Sequence, residues 1–129
     1  NLGGGLFGTE NVISDTTVGS TALWAADLDN DGDLDVVATA YIDNNVSWWE
    51  NDGAGNFINS YELGYVRDPR TVTVSDLNSD GLLDVASASE YYGKIIWFKN
   101  LGGGNFQDEL IISNQITYPY HITCQDIDN

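Results

Sequence analysis

Residues 27–35 read DLDNDGDLD and place five aspartates in nine positions, with Gly32 directly after the third. Five like charges so close together repel one another unless a cation lies among them. A hard divalent ion that takes six to eight oxygen ligands suits alternating aspartates, and no cysteine or histidine lies nearby in the sequence to favour zinc or copper. This stretch therefore predicts a calcium loop.

The residues on either side of the loop predict the two strands of a β-hairpin. TALWAADL precedes the loop from position 21, and LDVVATA, a β-branched run with no helical apolar period, follows from position 34. An EF-hand needs two helices and a glutamate at its twelfth position, which is Ala38 here. The loop is therefore predicted to join two strands.

The chain repeats itself, and two landmarks recur together. A glycine-rich element occurs as NLGGGLF, NDGAGNF and NLGGGNF, starting at Asn1, Asn51 and Asn100. The acidic loop has a second copy, DLNSDGLLD, at 76–84, and a third copy begins at Asp126. The period is therefore close to fifty residues, as these starting positions show.

Each repeat carries four short apolar or alternating segments separated by turn residues, which predict four antiparallel strands. In the first repeat they lie at 21–27, 34–41, 46–50 and 57–63, and in the second at 70–76, 83–89, 94–99 and 106–113. Single further strands are predicted at 7–13 and 121–126. Four-stranded units with this period are typical of β-propeller blades, which pack both faces on their neighbours.

The DxDxDG loop, repeated together with NxGxGxF, resembles the FG-GAP or VCBS repeat family, which includes the propeller of integrin α subunits, some lectins and many secreted bacterial proteins. The resemblance spans nearly the whole chain. It implies an all-β fold of four-stranded antiparallel propeller blades, two of them complete, in a single partial β-propeller. Its parts are the end of a preceding blade at 1–19, blades at 20–66 and 67–116, and the start of a further blade at 117–129.

The resemblance also implies the calcium ligands. In such repeats the loop between the first two strands binds Ca²⁺ through side chains at positions one, three, five and nine and through the carbonyl at position seven. The matching residues are Asp27, Asp29, Asp31, Asp33 and Asp35 in the first loop and Asp76, Asn78, Asp80, Leu82 and Asp84 in the second. Asn78 is a neutral oxygen donor, so the second site is predicted to be weaker. The third copy, from Asp126 to Asn129, is incomplete.

Charge and hydropathy exclude some partners and favour one setting. Four basic residues against 20 acidic ones give a net charge of −16, which repels phosphate backbones, so nucleic acid is not a predicted partner. No apolar run approaches the roughly 18 residues of a membrane span, so membrane insertion is not predicted. Calcium loops of modest affinity fill where calcium is plentiful, which favours an extracellular or cell-surface location.

The residues outside the loops predict a binding module and not an enzyme. His121 is the only histidine and has no serine, cysteine or second histidine at useful spacing, and no acid and base are paired outside the metal loops. The predicted ligand is a glycan, as for a lectin, or a protein. Tyr41, Tyr91 and Tyr92, in turns after the second strand of each blade, are candidates for an exposed binding platform.

The sequence leaves two other functions open, and it predicts that the chain assembles with itself. The chain could serve as an accessory propeller domain of a secreted polysaccharide-active enzyme, or as a purely structural assembly unit. An open array of blades leaves apolar faces and strand edges in water, which drives association. A homo-oligomer, and specifically a dimer because two-fold assemblies are commonest, is therefore predicted to form through exposed blade faces.

Overall fold

The computed structural model describes Gly4 and residues 8–125, and they form β-strands joined by turns. Within these residues there is no helix of the length and apolar character that crossing a membrane requires. The strands form two antiparallel four-stranded sheets and one small hairpin, and the sheets do not close into a ring. The predicted all-β fold with two four-stranded blades is confirmed.

The first blade is a simple meander. It contains β1 (Ser20–Ala26), β2 (Asp35–Ala40), β3 (Asn45–Asn51) and β4 (Phe57–Tyr65), hydrogen-bonded in the order β1-β2-β3-β4. The tight turn between β2 and β3 includes Asn44 at a φ of 58°, a left-handed conformation that asparagine tolerates better than most residues. Each of these strands lies within a few residues of its predicted place.

The second blade repeats the meander with one change near its end. Its strands are β5 (Pro69–Ser75), β6 (Asp84–Ser89), β7 (Lys94–Phe98), β8 (Asn100–Gly102), β9 (Asn105–Phe106) and β10 (Leu110–Ser113). The sheet order is β10-β7-β6-β5, and β8 pairs only with β9. The continuous strand predicted at 106–113 is therefore wrong, because Gly102, Gly103 and Gly104 at positive φ form a turn that pairs Phe106 with Asn100.

The single strands predicted outside the two blades do not form in the described residues. Residues 8–13 and 121–125 have no strand, and positions 7 and 126 lie outside the described residues. A strand is stabilised by hydrogen bonds to a neighbouring strand. Neither segment pairs with one of the two sheets. An alternating side-chain pattern without a pairing partner is therefore not sufficient to form a strand.

The two blades pack on each other around one core, with β5 against β1 and β2. The buried side chains of the core cluster are Ala26, Leu28, Val37, Val46, Trp48, Val66, Val72, Val85, Ile96 and Phe98. Burying a large apolar side chain contributes about 1.5–3 kcal/mol, so this layer holds the blades together. The meander places the acidic loops at one end of the blades and the β2–β3, β4–β5 and β6–β7 turns at the other.

Candidate metal centre

The first acidic loop joins β1 to β2 and is shaped by its own carboxylates. Asp27 accepts the backbone N–H of Asp31 at Oδ1 (3.1 Å) and that of Gly32 at Oδ2 (3.0 Å). Asp31 Oδ1 accepts the N–H of Asp33 at 2.9 Å. Gly32, at a φ of 100°, permits the reversal that brings the loop back toward β2. The alternating aspartates thus curl the loop around its own side chains.

Three carboxylates of this loop converge. Oxygen atoms of Asp27, Asp29 and Asp35 all lie within 4.8 Å of one another, and no other group of three acidic, histidine or cysteine side chains with metal-ligand spacing occurs in the described part of the chain. Asp35 is fully buried, and its two oxygens accept the N–H groups of Leu28 (3.0 Å) and Asn51 (2.9 Å). The cluster therefore consists of the residues at positions one, three and nine of the predicted calcium loop.

Burial and crowding make this cluster electrostatically unfavourable on its own. Burial raises the pKa of Asp35 above its usual value, and the charges of Asp29 and Asp31 raise it further, although two backbone hydrogen bonds oppose the shift. Burial likewise raises the pKa of Asp29, and Asp31, Glu50 and Asp27 add to the effect. Clustered oxygens with excess negative charge are the ligand set that Ca²⁺ prefers, so these residues fit the ion.

The second acidic loop, between β5 and β6, has the same backbone scaffold. Asp76 accepts the N–H groups of Asp80 (3.1 Å) and Gly81 (2.9 Å), and Asp80 accepts that of Leu82 (3.1 Å). Asp84 is fully buried and accepts the N–H groups of Leu77 (3.0 Å) and Asn100 (2.8 Å). Leu82 and Asp33 occupy matching half-buried positions, each with its N–H held by the preceding aspartate.

The two loops differ in how their charge is balanced. In the second loop Asn78 donates its amide to Asp84 Oδ2 at 3.0 Å, and the Lys99 ammonium lies 3.2 Å from Asp80 Oδ2. The backbone hydrogen bond from Leu82, and then Lys99, hold the pKa of Asp80 below its usual value. The place of Lys99 is taken in the first blade by Glu50. The first loop therefore has an additional acid where the second has a base.

Sequence reasoning missed the asparagine that begins each glycine-rich element. Asn100 is buried, and its amide donates to the carbonyls of Leu28 (2.7 Å) in the first blade and Leu83 (3.0 Å) in the second. Asn51 donates in the same way to Leu34 O at 3.0 Å. The recurrence of asparagine at positions 1, 51 and 100 was the available signal. Each of these two glycine-rich elements therefore forms a turn and also hydrogen-bonds the end of a strand to an acidic loop.

Four-stranded antiparallel blades, each with an acidic loop between its first two strands, define the class as a β-propeller-like repeat protein. The model of the FG-GAP-like repeat family matches residues 27–87 and 76–129, which together make up most of the sequence. The chain belongs to the FG-GAP-like repeat family. No curated protein and no solved structure matches it.

Proposed function

We propose that the chain is a calcium-stabilised binding module without catalytic activity that recognises a glycan. The observation that carries the metal assignment is the convergence of Asp27, Asp29 and Asp35 around a fully buried carboxylate. Asp31 and the carbonyl of Asp33 would complete the first site. The second site would use Asp76, Asn78, Asp80, Leu82 and Asp84, and its neighbour Lys99 lowers its affinity for a cation.

The calcium ion stabilises the fold and does not bridge to the ligand. Five protein oxygens fill most of a shell of about six to eight places and leave about one to three of them for water. Asp35 also fastens the loop to Asn51 at the end of β3, so an ion bound here would hold β1, β2 and β3 in their relative places. Loss of calcium would therefore weaken ligand binding indirectly.

An extracellular setting follows from the same proposal. Calcium loops of modest affinity fill outside cells, where calcium reaches millimolar concentration. Bound calcium would offset part of the net charge of −16, most of which comes from aspartates. The resemblance to secreted repeat proteins supports the same setting.

A glycan array probed with the whole chain, with calcium and with chelator, tests this function. We expect binding to a limited set of glycans that falls when the chelator is added. The absence of any glycan signal would contradict the proposal. That result is expected if the chain is a protein-binding module, an accessory domain or a structural unit. Glycan binding that chelator leaves unchanged would contradict the calcium dependence.

A further inference from the structure

The end of the blades opposite the acidic loops collects most tyrosines and basic side chains. Of the seven tyrosines and four basic residues in the chain, those at this end are Tyr41, Tyr65, Tyr91, Tyr92, Tyr118, Tyr120, Arg67, Arg70 and Lys94. We call this set the tyrosine–arginine surface. The remaining basic residue, Lys99, lies at the other end beside Asp80. Asp43, Asp68 and Glu90 also lie at this end, so the three basic residues of this surface have acidic residues near them.

The tyrosines of this surface are exposed and are not part of the core. Tyr65 is 63% exposed, Tyr91 58% and Tyr92 50%. Basic side chains lie over several of the rings. The guanidinium carbon of Arg67 is 3.8 Å from the centre of the Tyr91 ring, and Lys94 Nζ is 5.4 Å from that of Tyr92. These contacts hold the cations over the tyrosine rings.

Two of the cations have no carboxylate partner in the described residues, although the chain holds 20 acidic side chains. Arg67 and Lys94 make neither of the ion pairs found there, which are Arg70–Glu90 and Lys99–Asp80. Both line a cleft with Tyr65 and Tyr92, and Glu109 also lines it. Their positive charge is therefore directed to solvent within an aromatic cleft.

A neighbouring network holds this surface in place. Glu90 accepts a hydrogen bond from the Tyr120 hydroxyl at 2.7 Å and pairs with Arg70. The Arg70 guanidinium carbon lies 4.2 Å from the centre of the Tyr41 ring, which belongs to the other blade. The Arg70 side chain therefore binds groups within the protein, whereas the Arg67 side chain is available to bind a ligand.

The acidic loops do not cancel the positive charge at this distance. β5, of seven residues, connects the two ends. At about 3.3 Å per residue it spans roughly 20 Å, which exceeds two Debye lengths of about 8 Å at physiological salt. The acidic loops are therefore largely screened from Arg67 and Lys94, and the acidic residues that act on these cations are those at their own end of the blades.

We infer that the tyrosine–arginine surface binds a polysaccharide that carries carboxylate or sulfate groups. A guanidinium pairs with either group through two parallel hydrogen bonds, which Arg67 can offer. The exposed ring of Tyr65, over which no cation of the described residues lies, fits the apolar face of a sugar ring better than an extended acidic peptide. Glu109 would repel a densely charged polymer and so favours one with spaced anionic groups. This inference rests on the proposed glycan-binding function and names its ligand class.

The test measures binding of the whole chain, with calcium present, to four probes by calorimetry. The probes are a uronic acid hexasaccharide, a sulfated galactan hexasaccharide, neutral cellohexaose and a polyglutamate peptide. Arg67→Gln removes the proposed anion contact. Gln107→Glu is the matched control, because it changes net charge by the same amount at an exposed position near the acidic loops. Thermal melts establish that each variant folds.

We expect one or both anionic hexasaccharides to bind, and the stronger of the two identifies carboxylate or sulfate as the recognised group. Arg67→Gln should weaken this binding at least tenfold, about 1.4 kcal/mol, whereas Gln107→Glu should change it less than twofold. Binding of cellohexaose unaffected by Arg67→Gln would overturn this inference and leave the glycan-binding function intact. Preference for polyglutamate would overturn the inference in favour of a protein ligand. Binding of no probe would overturn it too, and the glycan array then decides the proposed function separately.

Discussion

Asp35 has a carboxylate that is fully buried in the first loop, yet its neighbours are other carboxylates. Two backbone N–H groups satisfy part of its hydrogen-bonding capacity. They do not balance its charge, because burial still raises its pKa. A buried charge is stable only when it is paired or coordinates a metal. At the scale of single residues, this uncompensated charge is the strongest reason to expect a cation.

Asp29→Ala separates the metal contribution from the loop scaffold. Asp29 has a raised pKa and makes one backbone hydrogen bond, to Asp31 N at 3.2 Å, so its loss should change the calcium-free stability by less than about 1 kcal/mol. The part of the calcium-dependent gain that comes from the first site, about 2.7 kcal/mol at a hundredfold excess over its Kd, should mostly disappear. Denaturant melts with and without calcium measure both. Asp108→Ala, at an exposed position outside the loops, is the control, and an equal calcium response in the two variants would contradict this role of Asp29.

The clustering of Asp27, Asp29 and Asp35 could be predicted from the sequence because alternation in a short loop is a local property. DLDNDGDLD specifies which side chains face inward without reference to the rest of the fold. The balancing residues could not be predicted in the same way. Glu50 and Lys99 lie at the ends of the third strands, and only the packing of each blade brings Glu50 near Asp29 or Lys99 near Asp80. Their opposite charges make the two loops electrostatically unequal.

At the scale of structural elements, Asn100 connects the two blades. Its side chain reaches from β8 to the carbonyl of Leu28 in the first acidic loop and to that of Leu83 in the second. Its backbone N–H donates to Asp84. The buried Asn100 residue therefore links both acidic loops to the start of the glycine-rich hairpin through hydrogen bonds. The repeat pattern predicted the strands, but this contact between repeats depends on how the blades pack.

Replacing Asn100 with alanine should therefore be more costly than the same change at Asn51. Asn100→Ala leaves buried backbone groups without partners, each at about 1–3 kcal/mol, so we expect a loss of roughly 2–4 kcal/mol in unfolding free energy. Asn51 makes matching contacts at a more exposed place, where water replaces the amide, so about 1 kcal/mol is expected. Urea denaturation of both variants in calcium measures the difference. Equal losses would contradict the bridging role.

Glu90, at the end of β6, gives an expected pH dependence. The Tyr120 hydroxyl, and then Arg70, hold the pKa of Glu90 below its ordinary value of 4.5. A lowered folded-state pKa means that the stabilisation is complete above 4.5 and is lost as pH falls through the folded-state value. Glu90→Gln should therefore lower the Tm near pH 7 and have little effect near pH 3. Glu62→Gln, at an exposed position on β4, is the control, and a pH-independent effect of Glu90→Gln would contradict this linkage.

At the scale of the whole molecule, one side of the first blade exposes apolar residues. Leu23 on β1 is 69% exposed, and it lines an open cleft with Val36 on β2 and Trp49 on β3. Propeller blades bury both faces on their neighbours, so an uncovered face favours association. We expect the chain to form a homo-oligomer, a dimer in the simplest case, through this face. The repeat pattern predicts such a surface, but the sequence does not specify what covers it.

Light scattering at micromolar concentration tests the assembly. The mass should exceed that of one chain, and Leu23→Lys should shift it toward the monomer because a charge on the face opposes burial. Ile58→Lys is the control, at a similarly exposed residue on β4 at the opposite edge of the sheet. A monomeric mass for the unmodified chain would contradict the assembly.

Calcium bound in the acidic loops is expected to stabilise the folded chain, and thermal melting of the unmodified chain measures that stabilisation. The chain is melted first in chelator and then in excess calcium at a fixed protein concentration. We predict that calcium raises the Tm by an amount equivalent to about 2.7 kcal/mol at a hundredfold excess over Kd, and that chelator reverses the gain. Identical melting curves in chelator and in calcium would contradict it.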